Sequence, residues 1–293
     1  MAHNKTAVAL GLFDGVHNGH RAVISKAAAM AEKGFIPAVF TFRCETLAVK
    51  QGRSIQYIYS DSFKEKLLRG LGAVEVCCED FSAVKDMSGD EFVREILLKK
   101  LNAGHAVCGR DFRFGKNASC GVSELSELCC KYGIILDTAE DVVCGGENVS
   151  SRRIRELLTE GDIPAAENLL GGRYTISGVI TDGNHIGRTI DFPTINQNFV
   201  RFQLVPRFGV YSSEVDIDGT TYKAVTNIGV KPTIAGERAP LAETHILGFS
   251  GDLYGRELET RITGFIRPEQ KFDSLDDLKR QISADIISAK SQT

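Results

Sequence analysis

The chain has 293 residues, 43% of them apolar and 25% charged, with a formal net charge of −3. That length suits one large or two medium domains, the composition is ordinary for a soluble globular protein, and the charge excludes a general basic field for non-specific nucleic-acid binding. No run of about 18 apolar residues occurs, and Asp14 interrupts the first apolar stretch, so the sequence reads as cytoplasmic, without a membrane span or a secretory leader.

The first strand-like run, "TAVALGL", leaves through "FDGVHNGH" into a helical stretch, "AVISKAAAMAEKG". Further strand-like runs, "IPAVFTF", "AVEVCC", "HAVCG" and "GIILD", alternate with amphipathic helical stretches. Among the latter, "SGDEFVREILLKKL" opens on a Ser/Asp cap region and keeps helical spacing. Alternation of strand and helix predicts βαβ units and a parallel, doubly wound sheet. "SSRRIRELLTEGD" and "PAAENLL" read as short helices closing this domain. Eight cysteines, all between Cys44 and Cys144, contain no C-x-x-C pair and read as reduced thiols.

A helix N-terminus carries unsatisfied amide donors and partial positive charge, so it attracts anions. In "GLFDGVHNGH", Gly11, Gly15 and Gly19 let the backbone approach a ligand closely, with Phe13 inside the turn. His17 and His20 face one point if the helix starts near Gly19, where two imidazole donors suit a phosphate that is gaining charge. The plainer reading makes one histidine a turn cap. "VSSRRIRELL" puts Ser150 and Ser151 where a helix begins, with Arg152, Arg153 and Arg155 in its first turns. Hydroxyls, amides and guanidinium forks together suit a triphosphate; alone, the segment is equally a solvated basic face. "GRDFRFG" places Asp111 just after a strand, at the carboxyl edge where ligands of open α/β folds bind.

From Tyr174 Gly-punctuated short strands take over: "YTISGVI", "GVYSSEVDI", "TYKAVTNIGV", "AETHIL" and "ELETRITGFI". Such spacing predicts a small antiparallel barrel. "SLDDLKRQISADIISAK" follows as a helix, with Ser274 its N-cap and an acidic residue three positions on. Composition, cysteine use and strand pattern all change near "LLGGRY", which sets domains of residues 1–171 and 172–293.

"GVITDGNHIGRTIDFPTIN" offers backbone amides for phosphate at Gly178, Gly183 and Gly187, positive charge at Arg188, and Pro193 leading into Thr194. Taken alone, such glycines are ordinary turns. The Thr194 hydroxyl and the Asn196 carbonyl are hard oxygen donors suited to Mg²⁺. Glu243, in "AETHILGF", is either a general base near a substrate hydroxyl or an edge-strand glutamate facing water.

Together, "GLFDGVHNGH", "GRDFRFG" and "SSRRIR" resemble the FMN adenylyltransferase module of bacterial bifunctional riboflavin kinase/FAD synthetases, within the nucleotidylyltransferase superfamily. "FPTIN", "PRFGVY", "NIGVKPT", "ETHIL", "DLYG" and "IRPEQKFDS", in that order, resemble the riboflavin kinase module along nearly its whole length. The resemblance implies a Rossmann-like α/β domain with a parallel sheet, then an all-β Greek-key barrel of six strands with a terminal helix. It implies phosphorylation of riboflavin by ATP to give FMN, then adenylylation of FMN to FAD with release of pyrophosphate. It further implies ATP-phosphate contacts from His17, His20, Ser150, Ser151 and Arg155, Mg-ATP held by Thr194 and Asn196, and proton abstraction from the ribityl 5′-hydroxyl by Glu243. Riboflavin, FMN and ATP are then the partners, with no nucleic acid and no membrane.

Cys44, Glu45 and Thr46 stand where the family has Pro-His-Pro, Arg152 stands where it has Thr, and Ala118 and Cys120 follow "FRFG". The alternative is therefore a riboflavin kinase whose first domain is degenerate or serves another phosphomonoester. A rival of another class is an RNA-binding barrel joined to a nucleotide-sensing domain, with Tyr174, Tyr211 and Tyr222 as its stacking platform.

Overall fold

The computed structural model describes residues 4–48, 56–181, 192–232 and 238–291. The chain divides into two compact units, Met1–Ser151 and Arg152–Thr293.

In the first unit, β1 (Thr6–Leu10), β2 (Ile36–Phe42), β3 (Glu75–Glu79), β4 (Ala103–Gly109) and β5 (Ile135–Ala139) pair in parallel, in the order β3-β2-β1-β4-β5. Central β1 is buried at every position, which is why it reads as an unbroken apolar run and not an alternating one. Val8 and Leu10 pack with Phe40, Phe92 and Leu97 on one face, and Ala9 with Val23, Ile24 and Val39 on the other. The chain works outward from β1 to β3, then crosses back to β4. That reversal opens a crevice beyond the carboxyl ends of β1 and β4.

Helices α1 (Asn18–Ala28), α2 (Cys44–Ala48), α3 (Asp61–Gly70), α4 (Phe81–Val84), α5 (Gly89–Glu91) and α6 (Val122–Lys131) fill the connections, with a small hairpin of β6 (Val143–Cys144) and β7 (Glu147–Asn148). Ser60 caps α3 by accepting from Phe63 N at 3.3 Å, and Ser88 and Glu91 form a capping box at α5. The helical stretch expected over "SGDEFVREILLKKL" is present, but after α5 it continues through wider π-type turns over Phe92–Lys100.

In the second unit, α7 (Ser151–Glu160) and α8 (Ile163–Leu170) precede a closed antiparallel barrel. Its strands are β8 (Tyr174–Thr181), β9 (Ile195–Asn198), β10 (Gly209–Ile217), β11 (Thr220–Pro232), β12 (Arg238–Ile246) and β13 (Glu257–Arg267), in the order β10-β11-β12-β9-β8-β13. Closure leaves no sheet edge. Ile180, Ile195, Val215, Ala224, Ile246 and Leu258 form an apolar cluster, and a layer of buried polar side chains bonds internally. Ser213 meets Thr226 at 2.7 Å, Thr226 meets Thr244 at 2.9 Å, and Thr260 donates to Gln197 at 2.6 Å. Gly209 joins this wall at φ 152°, and a Cβ there would sit 2.4 Å from the Arg267 carbonyl.

The two helices before the barrel are tied to it. Arg207 N donates to Leu158 O at 3.0 Å, and Tyr174 N donates to Glu167 Oε1 at 3.1 Å. We propose that the kinase module itself begins at residue 172, and two fragments test this. Residues 172–293 should fold and phosphorylate riboflavin, while residues 152–293 should do the same with a higher melting temperature, since α7 and α8 supply those partners. An insoluble shorter fragment beside a folded longer one would move the module start to residue 152.

Helix α9 (Leu275–Ser291) closes the chain against β10, β11 and β13. Its cap is the expected one: Ser274 Oγ accepts from Asp277 N at 3.1 Å. One ion pair fixes it to the barrel, with Arg267 Nε and Nη2 bonding Asp285 at 2.7–3.2 Å and Gln281 Nε2 adding a bond at 3.0 Å. Asp285 is 2% exposed. Removing one partner of a buried pair strands the other, so Asp285→Ala is expected to destabilise this unit by about 3–5 kcal/mol. Calorimetry of the full chain checks it, and an unchanged midpoint would show that the pair contributes nothing.

Candidate active sites

A cavity of about 710 Å³ opens beyond the ends of β1, β4 and β5. It brings together Gly11, Phe13, His17, Gly19, His20, Asp111, Ser150 and Ser151. Arg110 and Arg113 of "GRDFRFG" line it too, as does Asn148, which no motif marks. Gly15 is buried and does not line it, and Arg155 lies four residues beyond Ser151 on α7, in the second unit.

The turn between β1 and α1 is strained. Phe13, Gly15 and Val16 have φ of 53°, 79° and 44°, a region that a β-branched residue enters only at about 1–3 kcal/mol. Bonds from distant segments hold it. Thr41 Oγ1 donates to Leu12 O at 2.8 Å, Ile58 N to Asp14 Oδ1 at 2.9 Å, and Ser151 Oγ to Asp14 O at 2.9 Å. The Ser151 hydroxyl thus braces the turn, a role its place at a helix start did not reveal.

The cap reading of the histidine pair is met by His17. His17 is the N-cap of α1, its Nδ1 accepting from His20 N at 3.3 Å. With Nδ1 accepting, the ring proton resides on Nε2. The two rings stack at 3.5 Å and 18°, and Phe13 meets His20 edge-on at 5.3 Å. Burial, then His17 and then Lys64 hold the His20 pKa well below the usual histidine value. His20 Nδ1 is buried with no hydrogen-bond partner among the described residues.

The "RCET" segment is locally well supported. Cys44 N donates to both Asp61 oxygens at 3.2 and 3.1 Å. Lys64, 2% exposed, reaches Phe42 O at 2.7 Å, Asp61 at 3.0 Å and Cys44 Sγ at 3.6 Å. Burial pushes the Cys44 thiol far up, against the opposing pull of Lys64. Burial would raise Asp61 as well, but the Lys64 charge and the hydrogen bonds from Cys44 and Lys64 together hold that carboxyl below the ordinary range. None of the eight cysteines is in a disulfide.

In the second unit, one cavity of about 360 Å³ is lined by Thr194, Asn227, Glu243 and His245, with Arg267, Phe272 and Leu278 on its other side. A neighbouring cavity of about 340 Å³ is lined by Pro193, Thr194, Ile195, Thr244 and the 249–254 segment. Thr194 lines both. Asn196 pairs with Glu243 across β9 and β12, and its Oδ1 is buried with no partner among the described residues. Glu243 is half-buried. Gly178 sits within β8 opposite Leu258 and lines neither cavity. Gly183, Gly187 and Arg188 lie outside the described residues.

Residues 1–153 match the FAD synthetase family, and residues 170–293 match the riboflavin kinase family. The bifunctional riboflavin kinase/FMN adenylyltransferase of Pseudomonas fluorescens is 34% identical, covering 98% of this chain and 93% of its own. Those of Escherichia coli K12 and Bacillus subtilis are 34% and 33% identical, each covering 96% of this chain and 90% of the relative. This chain belongs to the bifunctional riboflavin kinase/FMN adenylyltransferase family.

The two matches divide the candidate residues between them. His17, His20, Asp111, Ser150 and Ser151 fall in the FAD synthetase match, and Thr194, Asn196 and Glu243 in the riboflavin kinase match. A crystal structure described as a macrolide-efflux protein from Streptococcus pneumoniae superposes with a TM-score of 0.85 at 28% identity, covering 100% of this chain and 96% of that one. Among the described residues of this family member, no helix is long and apolar enough to cross a membrane.

Proposed function

We infer that the chain catalyses two successive transfers: phosphorylation of riboflavin by ATP to give FMN, then adenylylation of FMN to give FAD and pyrophosphate. The observation that carries this is a pair of separate sites, one gathering His17, His20 and Asp111, the other Thr194 and Glu243. In the first, the His17 Nε2–H is the donor offered to ATP phosphate oxygens, and pre-aimed donors of this kind stabilise charge as the leaving pyrophosphate forms. His20, kept neutral by burial, contributes a second imidazole beside it. Ser150 and Asp111 are the further nucleotide contacts in this reading.

In the second, Glu243 takes the proton of the ribityl 5′-hydroxyl as that oxygen attacks the γ-phosphorus and the bond to the β,γ-bridging oxygen breaks, releasing ADP. Thr194 and Asn196 are suited to Mg²⁺: both offer hard oxygens, and the buried Asn196 Oδ1 lacks a partner among the described residues. The ion, when bound, neutralises phosphate charge. Thr194 and Asn196 also fix where the triphosphate lies relative to Glu243. The eight thiols outside disulfides support a cytoplasmic setting. Tyr174 and Tyr211 are buried, which argues against the aromatic platform of an RNA-binding barrel.

Incubation of the protein with riboflavin and MgATP, followed by separation of the products, tests the reading. FMN followed by FAD is expected. FMN alone would leave a kinase with a degenerate first domain.

A further inference from the structure

Strand β12 places Glu243 and His245 two residues apart, so both side chains leave one face and both line the 360 Å³ cavity. His245 Nδ1 lies 2.8 Å from the Pro193 carbonyl oxygen. A carbonyl can only accept, so Nδ1 carries the ring proton and donates. The Phe192 ring packs edge-on against the same imidazole, at 5.4 Å and 83°. The carbonyl that His245 holds belongs to the planar peptide joining Pro193 to Thr194. The β9–β12 ladder runs from Ile195↔Thr244 to Asn198↔Leu241, so Thr194 lies just beyond its end. Proline has no N–H with which to extend that pairing.

We propose that His245 is a positioning residue for riboflavin phosphorylation. Its Nδ1–H bond fixes the Pro193–Thr194 peptide, and through it the Thr194 hydroxyl, in register with Glu243 on the same strand. The proposal rests on the reading of Thr194 and Glu243 as kinase machinery. The reason a single bond matters is geometric: a displacement of about 1 Å in a reacting group can cost about a hundredfold in rate.

The test compares full-length His245→Asn, His245→Gln and His245→Ala, with Thr194→Ala beside them. Asparagine carries an amide nitrogen at the same distance from Cα as Nδ1, whereas glutamine reaches the Nε2 position. His245→Ala is expected to lower kcat for riboflavin phosphorylation by about ten- to a hundredfold with the riboflavin KM little changed. His245→Asn should restore most of the rate and His245→Gln should not. Adenylylation of supplied FMN should stay normal in all three, which reports that the first unit is intact, and the melting profile of each variant reports the barrel. Should the alanine variant lose the barrel fold, the Asn-against-Gln comparison still decides. Near-normal turnover by His245→Ala, or equal losses for Asn and Gln, would overturn the proposal. Normal phosphorylation by Thr194→Ala would instead remove the reading beneath it.

Discussion

Replacing His17 by asparagine and His20 by alanine together should stop FAD formation while FMN formation continues at its normal rate. Asparagine is among the best N-cap residues, so the start of α1 survives. What disappears is the Nε2 donor of His17 and the imidazole stacked on it. A lost donor of this oxyanion-hole type costs about 2.7–4 kcal/mol, or about 10²–10³ in rate, and two together should exceed either. Pyrophosphate release from FMN and MgATP measures the loss, and riboflavin phosphorylation in the same preparation is the control. Pyrophosphate at the normal rate would mean that the pair only builds a helix start.

Glu243→Gln should reduce riboflavin phosphorylation by about 10²–10⁴-fold. The amide keeps the shape and one acceptor of the carboxylate but cannot take a proton at neutral pH. Because Phe192, Phe272 and Leu278 supply apolar wall to the same cavity, riboflavin binding should change little. The loss should then appear in kcat and not mainly in KM. Adenylylation of supplied FMN should be unaffected. Near-normal FMN production would leave Glu243 a half-buried strand residue, and another proton acceptor would have to be sought.

The elements that could be read from the sequence were those whose apolar pattern matches their surroundings. Strands β1 and β2 read as nearly continuous apolar runs because both lie inside the sheet, whereas β3 and β5 at its edges carry Glu75, Glu79 and Asp137, and five of the six barrel strands are bounded by glycines. Strand β9 was not legible: "INQN" is short and polar, and Gln197 enters the interior only because Thr260 and the Leu258 carbonyl receive it there. The site residues that were legible are those whose chemistry is local, such as His17 and His20 within one turn. Asp14, Lys64 and His245 were not, because each acts through a partner distant in sequence: Ile58 and Ser151, Cys44 and Phe42, and Pro193. Spacing carries no trace of such bonds.

The burial of His20, stacked on His17, makes the adenylylating half sensitive to acid. An unfolded chain protonates its histidines near the ordinary value of about 6.5, whereas folded His20 resists protonation well below that, through burial, His17 and Lys64. As pH falls past the unfolded value, the unfolded state binds a proton that the folded state does not, so stability falls with it. The contribution is intact above the unfolded value and is lost progressively toward the lowered folded one. The adenylylating half therefore carries this sensitivity to mild acid. In mildly acid buffer FMN should accumulate, because its producer outlasts its consumer, and parallel loss of both activities would count against this asymmetry.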